Sequence, residues 1–378
     1  MFAGGLVGPI FAPFVRREFT APVILVGFAV SGYFVVRMLA EFPIGTLSDR
    51  IGPRTPLLVG RLFGIVGAIV CYQTGDIWML IIARAVWGVG DASFFCIGMT
   101  YVSSLFPSEK RGRALGLFQA VEMTGSFLGQ TAGGFLAGAY GLRSNFLASV
   151  VIGVAALAVV LLVKGNDHVG SAGSLRSILP SRVVLKSILG RTILAACLIN
   201  LVCMAMNSGL MGTLFPLYAT EQLGLSLGVY GLLISSSTIG NISGNLIGGI
   251  ASDRFGRRKV LSAGFVVGVL SLVGLSFTSN WIALLGFMFT NGFFWGIVYG
   301  VTPAFIADSA SPERRGMAIG TFRTFFDFGG VVGPLVYSGV FSIFGGAFGY
   351  QVVFYFGAAS LLLNLLLASR LEEKKNLG

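Results

Sequence analysis

Four carboxylates, Glu41, Asp91, Glu122 and Asp327, lie inside long apolar runs, and three arginines, Arg37, Arg84 and Arg323, share those runs. An acid in such surroundings either exchanges a proton or is held in an ion pair. Desolvation raises a carboxyl pKa and a nearby guanidinium lowers it, so the two effects together can bring titration close to neutral pH. Arg37/Glu41 and Arg323/Asp327 are both i,i+4 and share a helix face. Their order, Arg first, is the less favourable one, which leaves cross-helix pairing open. Asp91 follows Arg84 by two helical turns on roughly the same face. Glu122 has no arginine at i±3 or i±4 and is the first choice for a proton carrier, ahead of Asp91 and then Glu41 and Asp327.

Other chemistry is poorly provided for. His168 is the single histidine and sits in a polar stretch, so neither a histidine metal site nor a catalytic triad can be assembled. The four cysteines, Cys71, Cys96, Cys197 and Cys203, lie in apolar runs without CxxC spacing and read as small buried hydrophobes. No GxxxxGK[ST] loop is present. The expectation is no enzyme, no cofactor and no metal.

The elements that must carry these charges are membrane helices. Of 378 residues, 55% are hydrophobic and 11% charged, and the mean hydropathy is +0.86, far from an ordinary soluble domain. Long apolar runs fall at 1–15, 21–46, 57–74, 77–105, 114–139, 145–163, 192–219, 226–251, 260–278, 281–307, 317–343 and 349–369. The polar stretch 164–191 divides them into an N-terminal bundle (1–163) and a C-terminal bundle (192–369), followed by a tail (370–378). Within that stretch, Leu175–Leu189 reads as a short surface helix. Of the 26 basic residues, 19 fall on one set of loops and only Arg16, Arg17 and Arg143 on the other. The positive-inside rule then places the central stretch and the C-terminus in the cytoplasm. The net charge of +11 is thus a topology signal, and nucleic acid is not expected as a partner.

The chain repeats itself at a shift of 204 residues. Gly45, Ser48-Asp49-Arg50, Gly52 and Arg54 recur as Gly249, Ser252-Asp253-Arg254, Gly256 and Arg258. Glu109, Arg111-Gly112, Gly116 and Phe118 recur as Glu313, Arg315-Gly316, Gly320 and Phe322. Gly125, Gly129 and Gly141 recur as Gly329, Gly333 and Gly345. Two charged loops in phase with so many glycines indicate a parallel duplication of a six-helix unit.

GTLSDRIGPR (Gly45–Arg54) and GGIASDRFGRR (Gly248–Arg258) resemble the cytoplasmic loop signature of the major facilitator superfamily, which occurs after helix 2 and again after helix 8. RAVWGVG (Arg84–Gly90) resembles that family's helix-4 signature, with Trp87 where Gln is usual. Gly125, Gly129 and Gly133-Gly134 resemble the helix-5 glycine motif of its proton-coupled antiporters, with Gln130 at the proline position. The resemblance implies an all-α fold of twelve helices in two six-helix bundles, with helices 3, 6, 9 and 12 facing outward. It pairs helix 5, with its stripe Gly125/Gly129/Gly133, with helix 8, with its stripe Gly240/Gly244/Gly248, and helix 2 with helix 11, across the interface between the halves. It also implies a cytoplasmic gate. Asp49, Arg50 and Arg54 would latch the halves, with Asp253, Arg254, Arg257 and Arg258 as the counterpart and Asp308, Glu313 and Arg315 as partners. Arg61, near the cytoplasmic end of helix 3, is expected to snorkel.

For the substrate, helix 10 offers the stripe Asn291, Trp295 and Tyr299, helix 4 offers Trp87, helix 7 offers Asn207, Met211 and Phe215, and helix 1 offers Phe11, the echo of Phe215. Aromatic and methionine surfaces suit amphipathic compounds. The expected function is alternating-access secondary transport in the cell membrane, acting as a monomer on a small molecule and protons, in the direction of export. The alternatives are uptake of a sugar or organic anion, with Arg37, Arg84 and Arg323 binding the anion, and a non-transporting sensor on the same fold. Met1 corresponds to Ala205 whereas helix 7 begins near Thr192, so about 13 residues of helix 1 lack a counterpart. The run 1–15 would span about 22 Å of a core of about 30 Å. Helix 1 is therefore expected to be incomplete, either because the gene product starts upstream or because this chain is truncated.

Overall fold

A computed structural model of the chain describes residues 1–106, 108–162, 191–309, 315–369 and 371. The proposed surface helix Leu175–Leu189, Glu313 and the tail beyond Leu371 lie outside the described residues, as do the side chains of Asp49, Arg50, Asp308 and Arg315. The described chain is helical throughout, without strands.

Twelve helices follow one another in the described residues. They are α1 (Phe2–Glu18), α2 (Val23–Ile51), α3 (Arg54–Gln73), α4 (Ile77–Leu105), α5 (Ser108–Tyr140) and α6 (Ser144–Leu162), then α7. α7 begins as Arg191–Met206 and continues through two wide, π-helical stretches, Asn207–Leu214 and Tyr218–Gln222. The remainder are α8 (Leu227–Phe255), α9 (Arg257–Phe277), α10 (Trp281–Ser309), α11 (Arg315–Phe344) and α12 (Gly346–Ser369). Nine of the helical stretches in the described residues are long and apolar enough to cross a membrane. α3, α6, α9 and α12 leave rows of apolar side chains exposed, such as Val59, Leu62 and Val66 on α3 and Leu362, Leu363 and Leu366 on α12. In water this would be costly; against lipid tails it is the ground state.

The helices group into two compact units, Met1–Leu175 with Ser226–Gly231, and Arg176–Leu225 with Leu232–Gly378. Each repeats the other's turns. The tight turn between α2 and α3 uses Gly52 at φ 81°, and that between α8 and α9 uses Gly256 at φ 95°. This left-handed backbone is open to glycine and strained for other residues. The α5–α6 and α11–α12 turns likewise use Gly141 and Gly345.

Close packing repeats as well. In the first unit a Cβ at Gly129 would collide with the Phe2 carbonyl, and in the second a Cβ at Gly333 would collide with that of Ala205. Gly5 meets α5 at Ser126 and Gly129, and its echo Gly209 meets α11 at Gly333. Phe14 stacks on Phe146 at 4.7 Å, and Tyr218 on Tyr350 at 5.3 Å, again 204 positions on. The duplication is therefore one of contacts as well as of sequence.

Two expectations need correction. Helices 5 and 8 do meet, but at Gly134 and Gly138, which face Gly231 and Gly228 of α8, and not through the named stripes: Gly129 and Gly133 receive the backbone of α1, and Gly240 and Gly244 receive that of α10 at Phe289 and Phe293. A small-residue stripe lets any helix backbone approach, and periodicity alone does not say which. Arg61 does not reach outward; its Cζ lies 4.5 Å from the centre of the Phe94 ring on α4.

Candidate functional site

α4 places Arg84, Trp87 and Asp91 at i, i+3 and i+7, on one face. α2 approaches that face closely because Gly88 has no side chain; a Cβ there would stand 2.7 Å from the Tyr33 carbonyl oxygen. Tyr33 is thereby laid against α4. The Arg84 Cζ lies 4.4 Å from the ring centre of Phe11, 4.7 Å from that of Tyr33 and 5.3 Å from that of Trp87. The negative ring faces stabilise the guanidinium in the absence of water. The Tyr33 hydroxyl donates to Asp91 Oδ2 at 2.7 Å. Arg84 and Asp91 are only 8% and 9% exposed.

The structure thus brings together Arg84, Trp87, Asp91 and Phe11, all proposed from sequence, and adds Tyr33, which was not. A signal for it existed: Tyr33 lies one helical turn before Arg37 on α2.

The other acids sit differently. Arg37 Nε is 3.5 Å from Glu41 Oε1, and the Arg37 Cζ lies 5.8 Å from the Phe95 ring centre. Glu122 is half-buried on α5. In the second unit Arg323 Nε is 3.6 Å from Asp327 Oδ2, and Asp327 is 1% exposed. The Arg323 Cζ lies 5.3 Å from the Phe326 ring centre; Tyr299 stacks on Phe326 at 5.9 Å and Trp295 on Tyr299 at 5.3 Å. Both i,i+4 pairs therefore form on their own helices.

The substrate stripes are only partly realised. Asn291 points its amide at the Ser271 hydroxyl of α9, 3.2 Å away, and is 1% exposed. Its amide is turned to α9, while Trp295 and Tyr299 stack on each other at 5.3 Å. Phe215 is fully buried and stacks on Tyr218 and Phe354. Asn207 and Met211 are half-buried within the first π-helical stretch of α7. Such widened turns recur at functional positions in helices.

At the loop signatures Arg54 Nη2 donates to the Leu161 carbonyl at 2.9 Å, and Arg258 Nη1 donates to that of Leu371 at 3.5 Å. Arg54 thereby satisfies a carbonyl in the last turn of α6, where a cation is also favoured by the helix dipole, and Arg258 meets a carbonyl two residues past the end of α12. Asp253 and Arg257 stand 3.9 Å apart, and the Arg254 Cζ lies 5.5 Å from the Phe255 ring centre.

The doubled signature, the doubled turns and the doubled packing coincide with one family model, that of the Major Facilitator Superfamily, which matches residues 1–226 and again 197–377. The chain belongs to the Major Facilitator Superfamily. Among its superfamily relatives, the tetracycline resistance protein, class C, of Escherichia coli is 25% identical over 354 residues, covering 89% of this chain and 86% of that protein. The multidrug resistance protein MdtG of Salmonella paratyphi C is 26% identical over 349 residues, covering 90% and 83%. Among solved structures, the nucleoside transporter NupG superposes with a TM-score of 0.80 at 11% identity, covering 99% of this chain and 96% of that one. A bacterial homolog of the human lysosomal transporter Spinster, inward-facing and occupied, gives 0.79 at 16% identity, covering 98% and 94%. These last two likenesses establish the facilitator fold. The transporter is a multi-pass membrane protein that binds a small-molecule substrate, and its relatives are not enzymes.

Proposed function

We propose that this transporter exports a small amphipathic organic compound by alternating access in exchange for protons, and that Asp91 carries the proton. The observation that carries this reading is the 2.7 Å hydrogen bond from Tyr33 to Asp91 beside the ring-bound Arg84. A buried carboxyl that changes its protonation state needs a partner that serves both forms. A phenol donates to a carboxylate and accepts from a carboxylic acid, whereas a guanidinium only donates. Asp327 and Glu41 each face an arginine on their own helix, a partner that can donate but not accept. Asp91 therefore moves ahead of Glu122, which was first on sequence spacing alone. Arg37, Arg84 and Arg323 set the local potential in which the acids titrate.

Two relatives of about 25% identity bear the printed names of tetracycline and multidrug resistance proteins; their names support the export direction and the amphipathic class. In this reading the protein acts as a monomer in the inner or plasma membrane, with the central stretch and the C-terminus cytoplasmic and residues 1–163 and 192–369 as the two transport bundles. The cytoplasmic gate is assigned to Asp49, Arg50, Arg54, Asp253, Arg254, Arg257, Arg258, Asp308, Glu313 and Arg315.

The test is transport in proteoliposomes with an imposed pH gradient and a panel of lipophilic cations, sugars and organic acids. Uphill movement of an amphipathic compound that collapses with the gradient is the expected result. Gradient-independent flux of a sugar would replace export by facilitated uptake, and binding without flux would make the protein a sensor.

A further inference from the structure

Three arginines lie mid-helix beside acids in this chain, and one of them is held differently. Arg37 and Arg323 each have a carboxylate one turn away, at 3.5 Å and 3.6 Å. Arg84 has none within ion-pair range among the described residues; the nearest acid on its own face, Asp91, accepts from Tyr33 instead. The Arg84 Nε is buried and meets no hydrogen-bond acceptor among the described residues. Its recorded contacts are the rings of Phe11, Tyr33 and Trp87.

We propose that the Arg84 cage is the seat of the anionic group of a flat aromatic or conjugated acid, of which a monocarboxylate is the simplest case. This names the substrate class of the site and rests on the export reading above. A guanidinium stays charged at any pH the cell reaches. Rings lower the energy of the cation but offer no lone pair to its N–H edge. A buried, charged donor without an acceptor is expensive. The missing partner is an acceptor with two oxygens in one plane, which the planar fork of Arg engages through two parallel hydrogen bonds. The walls choose the rest of the ligand: Phe11 and Trp87, 2% and 4% exposed, present apolar rings to a flat body. An organic cation gains from the rings but meets the positive charge of Arg84, and a sugar has no charge to offer it. The cage lies wholly within the first unit.

The full-length protein in detergent tests this with 1-naphthoate and its neutral isostere 1-naphthamide, read by quenching of tryptophan fluorescence, since Trp87 lines the cage. The expected result is that naphthoate binds about ten-fold or more tightly than naphthamide, the scale of a charge-assisted hydrogen-bonded pair. Arg84→Gln should abolish that preference, and Arg84→Lys should retain part of it because the charge survives without the fork. Trp87→Phe should remove most of the quenching. Equal binding of the two naphthalenes, or preferential binding of tetraphenylphosphonium that Arg84→Gln leaves unchanged, overturns the proposal. The comparison of the two ligands on the unmodified protein stands even if a variant fails to fold. The measurement needs no gradient: naphthoate preference without gradient-driven flux sinks the export reading alone, and gradient-driven flux of cations without naphthoate preference sinks the anion site alone.

Discussion

Tyr33 donates its hydroxyl to Asp91 at 2.7 Å while its ring lies 4.7 Å from the Arg84 Cζ. One phenol from α2 thereby links the two charges of α4, which stand seven residues apart. A change at either charge is felt by the other through a single side chain.

Tyr33→Phe keeps the ring under Arg84 and removes the partner of Asp91. Hydrogen bonds to charged groups contribute about 1.5–3 kcal/mol, so uphill transport should fall by about ten-fold or more while the melting temperature in detergent changes little. Unchanged accumulation in proteoliposomes would show that Asp91 does not depend on this bond.

Gly129→Val and Gly333→Val should each unfold the protein or prevent its accumulation. A side chain at either position meets a carbonyl of the facing helix, and backbone cannot retreat as a side-chain tip can. Overpacking of this kind costs about 1–3 kcal/mol or more. Monodispersity and melting temperature in detergent measure it. Gly8→Ala, at a position with no atom close by, is the control that should be tolerated.

Asp327→Asn should destabilise the second unit more than the double replacement Asp327→Leu with Arg323→Met. Removing one member of a buried pair strands the other, at about 3–5 kcal/mol for fully buried pairs, whereas replacing both by apolar groups is close to neutral. Arg323 is 27% exposed, so the lower end of that range applies. Thermal unfolding of the single and double variants decides it; equal losses would mean that the pair contributes little.

Arg54→Ala and Arg258→Ala should lower stability to a similar, small extent, about 0.5–1.5 kcal/mol each for one hydrogen bond. Arg54 holds the Leu161 carbonyl in the last turn of α6, and Arg258 that of Leu371 just past α12. A large loss of transport at unchanged melting temperature would mean that the gate, and not this tether, is their main task.

Much of this was legible in the sequence. The shift of 204 foretold the repeated turns at Gly52 and Gly256, because positive-φ glycines are dictated locally. The face of α4 that carries Arg84, Trp87 and Asp91 followed from helical spacing alone. Partners from other helices did not follow. Tyr33 and Asp91 are 58 positions apart, and the face of a helix can be read without knowing what it faces. The same gap explains the glycine stripes, whose close approach was foreseen and whose neighbours were not. It also explains Asn291 of α10, whose amide meets Ser271 of α9.

The central claim is that Asp91 exchanges the proton that drives transport. Asp91→Asn, reconstituted beside the unmodified protein, is assayed for two quantities: accumulation of substrate under a pH gradient, and exchange of labelled for unlabelled substrate without one. Accumulation should be lost while exchange persists, because a neutral amide mimics the protonated state without closing the site. Accumulation at the unmodified rate by Asp91→Asn would contradict it.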